Sequence, residues 1–154
     1  MSVQSVTPVL NVSSVGASMA WFEALGWKRG FSWNEGGMIG EGAEAAGSNE
    51  HGNAGFGSVC SGGATIFLCC GGQGSRGTIL PKFPGDDETD GVWMTWWMES
   101  PDDVDALHAL AVANGMTVTY PPTNEPWGVR EFHLRHPDGH MFRVSSGLSE
   151  EPAR

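Results

Sequence analysis

The strongest constraint on this chain is an internal repetition: a strand, a helix closed by glycine, and three more strands, in an order that occurs twice. In the first half, residues 6–12 are apolar and rich in β-formers. Ser13 or Ser14 then offers a helix N-cap. Val15, Met19, Phe22 and Leu25 recur at helical spacing, and Gly26 stops the helix. Residues 27–33 read as a strand. Residues 56–60 and 64–70 read as a hairpin turning at Gly62-Gly63. The second half restarts with a strand at 92–98. Ser100 caps a helix, Pro101 takes its first position, and Asp102 and Asp103 face the helix dipole. Val104, Leu107 and Ala111 supply its buried stripe, and Gly115 ends it. Strands at 116–120, 129–134 and 140–145 follow, with a break at Pro121-Pro122 and a tight turn at Pro137-Asp138-Gly139.

The repetition predicts an α+β fold of two βαβββ modules, whose curved mixed sheets surround a shared cleft. The first module spans residues 1–75 and includes a mobile Gly/Ala/Glu-rich loop at 36–55. Residues 76–90 form a Pro-rich linker, 91–147 the second module and 148–154 a frayed tail. A length of 154 residues suits that arrangement.

A formal net charge of −10 argues against nucleic acid and anionic membrane as partners. It suits attraction of a cationic small molecule. No apolar run approaches a membrane span, and residues 1–4 do not open a signal peptide, so the expected location is the cytoplasm. Cys60, Cys69 and Cys70 read as reduced core thiols.

Residues 72–77 match GxGxxG after a strand, but Pro81 and Pro84 follow where a nucleotide site needs a helix. They are read as linker. His133, His136 and His140 could be metal ligands, yet the turn at 137–139 interrupts their spacing. His133 is expected on the convex side or in solvent. Neither a metal nor another cofactor is expected. The tryptophans say more. Alternation sets Trp93, Thr95 and Trp97 on one face of their strand, and Met94 and Trp96 on the other. Trp96, Trp21 and Trp27 read as core. Trp93 and Trp97 read either as cleft walls or as filling between the halves. Trp127, between Pro126 and Gly128, suggests a cleft rim. Arg130 and Arg143 lie on successive strands, and a buried arginine needs a partner on another strand or on a ligand.

Residues 7–12, Ala20-Trp21-Phe22 and Leu25-Gly26-Trp27 resemble the first module of the glyoxalase/bleomycin-resistance/dioxygenase superfamily. Residues 126–132 and 134–140 resemble its closing hairpin, with His136 where an Asp usually precedes the Pro. The resemblance implies metal-ligand places at Thr7, Trp93 and Arg143, and none of the three is a reasonable ligand. That departure, the acidity and the Trp-rich fifth strand are similar to the bleomycin-resistance branch, whose members are acidic dimers that sequester cationic antibiotics without chemistry.

The resulting expectation is a non-catalytic homodimer that binds a bulky, aromatic and cationic antibiotic or related natural product. Its expected ligand-binding residues are Trp33, Phe56, Trp93, Thr95, Trp97, Trp127, Arg130 and Arg143. Two alternatives stay open. One is a metal-dependent lyase or dioxygenase with displaced ligands. The other is a metal-free biosynthetic enzyme in which Arg130 or Arg143 stabilises an oxyanion.

Overall fold

The computed structural model describes residues 1–34, 37–38, 55–70, 74, 76–77 and 91–149. The chain divides into two compact units, Met1–Arg76 and Gly77–Arg154. Both have the α+β, βαβββ-type layout, and both sheets are open. The predicted linker and the loop at 36–55 lie largely outside the described residues.

The first unit runs β1 (Val9–Asn11), α1 (Val15–Glu23), β2 (Lys28–Asn34), β3 (Gly37–Met38), β4 (Phe56–Ser61) and β5 (Ala64–Cys69). Its sheet order is β1-β5-β4-β2-β3, with β1 parallel to β5 and the other pairs antiparallel. Ser14 caps α1: its side chain accepts from Ala17 N at 3.0 Å. Val15, Met19 and Phe22 turn the apolar stripe of α1 inward, and all three are buried. Gly26 then leaves the helix at φ 87°, a conformation that a side chain would strain.

The second unit runs β6 (Trp93–Trp97), α2 (Pro101–Ala113), β7 (Thr117–Asn124), β8 (Val129–Arg135) and β9 (Met141–Gly147), in sheet order β6-β9-β8-β7. Here β6 is parallel to β9, and β9, β8 and β7 are antiparallel neighbours. Ser100 both accepts from Asp103 N and donates to Asp103 Oδ2, with Pro101 opening the helix. Val104, Leu107 and Ala111 are buried against the sheet. Trp96 stacks on Phe142 at a ring separation of 4.5 Å, which fixes that face of β6 as core.

Several expectations need correction. The strand expected over 6–12 forms only at Val9–Asn11, because Pro8 has no N–H with which to extend the ladder; its carbonyl still accepts from Phe67 N at 2.9 Å. Pro121 and Pro122 do not break the chain. They sit inside β7, whose register with β8 shifts on both sides of Tyr120. An edge strand with bulges can lose two donors without orphaning a neighbour. Residues 37–38, expected in a loop, pair with β2. Cys69 alone of the thiols is buried; Cys60 is half-buried and Cys70 exposed. Leu148, expected to fray, donates its N–H to Gly128 O. Among the described residues, no helix is long and apolar enough to cross a membrane.

Candidate functional site

The two faces of the second sheet can be told apart by register. Phe132, Leu134, Phe142 and Val144 are fully buried and alternate with the other set. The opposite face therefore carries Glu131 and His133 from β8, and Arg143 and Ser145 from β9. Cross-strand pairing extends this into a row, Thr95–Arg143–His133–Tyr120, that crosses all four strands. The next row is Trp97–Ser145–Glu131–Thr123.

On this face lies a pocket of about 390 Å³, lined by Trp93, Tyr120, Glu125, Trp127, Glu131, His133 and Arg143. His133 is central among them. Trp93 meets its ring edge-on at 5.5 Å, and Tyr120 lies over it at 4.9 Å. This overturns the expectation that His133 turns to the convex side or to solvent. Phe132 and Leu134 take the helix-side positions of β8, so the parity of the strand sends His133 the other way.

Glu131 anchors the polar floor. It is only 2% exposed. Its Oε2 accepts from Arg143 Nη2 at 2.7 Å and from Ser145 Oγ at 3.1 Å, while His133 Nε2 stands 3.7 Å from Oε1. A buried carboxylate needs such partners. At the rim, Tyr120 donates to Glu125 Oε1 at 2.5 Å, and this bond raises the phenol above its ordinary pKa. Trp93 and Trp127 stay 40% and 63% exposed, so their ring faces remain open to a ligand.

The predicted residues separate. Trp93, Trp127 and Arg143 line the pocket. Thr95 and Trp97 share the same sheet face without lining it. Arg130 lies on the other face, where it bonds Asp105 of α2 and Asn124 at 2.8 and 2.9 Å. Trp33 and Phe56 are register partners on the first unit's sheet. Phe56 forms a ring cluster there with Phe31 and Phe67, at separations of 5.3–5.8 Å. Tyr120, Glu125, Glu131 and His133 were missed. The signal for two of them was present: once Phe132 and Leu134 are assigned to the core, Glu131 and His133 must share the opposite face.

A metal ion does not fit these residues. The Arg143 cation already occupies Glu131 Oε2, and no group of three His, Cys, Asp or Glu side chains among the described residues could hold an ion. His136 and His140 contribute nothing to the pocket. Both are fully buried beside the 137–139 turn, where the Nδ1 of each accepts a backbone N–H, from Asp138 and Val92.

Comparison with known proteins places this geometry. The family model for the Glyoxalase/Bleomycin resistance protein/Dioxygenase superfamily matches residues 4–144. No curated protein is matched. Among solved structures, TioX from Micromonospora sp. ML1 superposes with a TM-score of 0.64 at 17% identity, over 94% of this chain and 100% of that one. The genomically encoded fosfomycin resistance protein FosX from Listeria monocytogenes gives 0.61 at 16% identity, over 98% of both chains. A glyoxalase/bleomycin resistance protein/dioxygenase from Nocardioides gives 0.60 at 16%, over 100% of this chain and 91% of that one. At such identities the likeness carries the fold alone.

Proposed function

The chain belongs to the glyoxalase/bleomycin resistance protein/dioxygenase superfamily, and from that premise we propose that it binds and sequesters a bulky aromatic, cationic natural product without transforming it. One observation carries the reading: Trp93, Trp127 and Tyr120 wall a pocket that also holds the Glu125 carboxylate. Open aromatic faces beside a carboxylate suit a planar cation. The net charge of −10 draws such a ligand in. The presence of a fosfomycin resistance protein among proteins of this fold is consistent with a protective role. In this proposal the protein works in the cytoplasm as a homodimer, a state that light scattering on the purified protein measures directly.

Fluorescence titration tests the site. A planar cationic antibiotic of the bleomycin type quenches tryptophan emission at micromolar concentration, and Trp93→Ala with Trp127→Ala removes most of the response. Quenching that survives both substitutions moves the site elsewhere, and no quenching by any planar cation ends the proposal.

A second reading has one observation in its favour. His133 Nε2 faces the buried Glu131, with Arg143 adjacent. Such a trio can move a proton and hold an oxyanion without a metal. Mass spectrometry of a quenching ligand after prolonged incubation separates the two, since sequestration returns the ligand unchanged.

A further inference from the structure

Arg143 has more donors than its protein partners use. Nη2 donates to Glu131, while Nε is buried with no hydrogen-bond partner among the described residues. The side chain nevertheless remains 38% exposed and lines the pocket beside Trp93 and Trp127. Its partner differs: the Glu131 side chain is 3% exposed, so the carboxylate is withdrawn from solvent while the guanidinium is not. The cross-strand neighbours of Arg143 are Thr95 and His133, and neither is an acid. Nε is too deep to meet a ligand, but a buried carboxylate that fixes Nη2 holds the exposed end of the guanidinium in place as a preset donor for an incoming oxyanion.

Resting on the binding function above, we propose that Arg143 contacts the ligand and takes an oxyanion, in the simplest case a carboxylate, carried by the ring system that the tryptophans hold. The ligand class narrows to aromatic cations that also carry an oxyanion. A cationic group on the same molecule pairs with the Glu125 carboxylate, so the pocket suits a zwitterion better than a simple cation.

The test needs no variant to begin. Naphthoate and naphthamide share a ring and differ in charge. In the native protein, naphthoate quenches tryptophan fluorescence with an affinity roughly ten-fold or more above that of naphthamide. Arg143→Gln abolishes this preference, read as the ratio of the two affinities within the variant, whereas Arg143→Lys keeps part of it. Equal affinities in the native protein overturn the oxyanion assignment while the aromatic pocket stands, and so does a preference that survives Arg143→Gln. Failure of both compounds and of planar cations to quench overturns the pocket itself, and this inference with it.

Discussion

The two units share a layout and use the helix-free side of the sheet differently. In the first, the row crossing β1, β5, β4 and β2 is Asn11–Cys69–Phe56–Trp33, and Phe31, Phe56 and Phe67 lock ring against ring beside it. In the second, the row crossing β6, β9, β8 and β7 is Thr95–Arg143–His133–Tyr120, over a buried Glu131. The helix-side cores hardly differ: each has a glycine-terminated helix with an apolar stripe on aliphatic and aromatic side chains. One scaffold therefore tolerates an apolar face and an ionic one, because α1 and α2 bury the residues of opposite parity. Fold and site are written on alternate residues of the same strands.

The largest difference should appear when each face loses its central side chain. Arg143→Ala strips the cation from a carboxylate that is 2% exposed, and we expect a loss of about 3–4 kcal/mol in urea denaturation at neutral pH. Phe67→Ala opens a half-buried ring cluster and should cost roughly 2 kcal/mol. A smaller loss for Arg143→Ala than for Phe67→Ala would mean that Glu131 relaxes to solvent, and that the ionic floor is not a fixed feature.

Acid should distinguish the units next. Burial pushes the His136 imidazole down to about 4, with His140 adding to the fall and Asp138 opposing it. The native state holds the neutral form, as the Asp138 N–H bond to Nδ1 requires. The unfolded chain takes up the proton first, near the ordinary value of 6.5. Stability is thus full above that pH and declines as pH falls from 6.5 towards 4, by an amount on the order of 2–3 kcal/mol. The described residues of the first unit contain no histidine. Residue-resolved amide exchange should lose protection first in β8 and β9, and His136→Gln should flatten the slope. Simultaneous loss in β4 and β5 would remove the contrast.

A smaller asymmetry lies at the helix starts. Ser100 has a reciprocal partner in Asp103 and a proline beside it, whereas Ser14 accepts from Ala17 N and has no acidic residue in the first turn that follows it. Ser100→Ala should cost roughly 1.5 kcal/mol and Ser14→Ala nearer 0.5–1 kcal/mol, measured by denaturant unfolding. Equal costs would show that the Asp103 side chain adds nothing to its cap.

How far the sequence led follows from the same parity. The repeated order, both caps and both glycine stops depend on local spacing, and spacing is visible in one dimension. Trp93 and Trp96 could be assigned to opposite faces for that reason. Arg130 shares the parity of Phe132, which places it on the helix side, where it meets Asp105, and its charge alone gives no sign of that. Tyr120 and Glu125 were hidden by Pro121-Pro122, which look like a chain break when the edge position of β7 is unknown. The Glu131–Arg143 bond needs the β8–β9 register, which depends on the hairpin and not on either strand alone.

The smallest effect on stability carries the sharpest test of the contrast. Trp127 and Trp33 are 63% and 50% exposed, one beside each kind of face. Neither should change unfolding free energy by more than about 0.5 kcal/mol when replaced by alanine, because neither leaves a cavity. Ligand binding should tell them apart. Trp127→Ala removes a pocket wall and should weaken an aromatic ligand by about three- to ten-fold, the range expected for one stacking contact. Trp33→Ala should leave the affinity within about two-fold, since its face offers rings without the ionic floor. Equal weakening by both would mean that the aromatic face of the first unit takes part in binding, and that the division between an apolar half and a ligand-binding half does not hold.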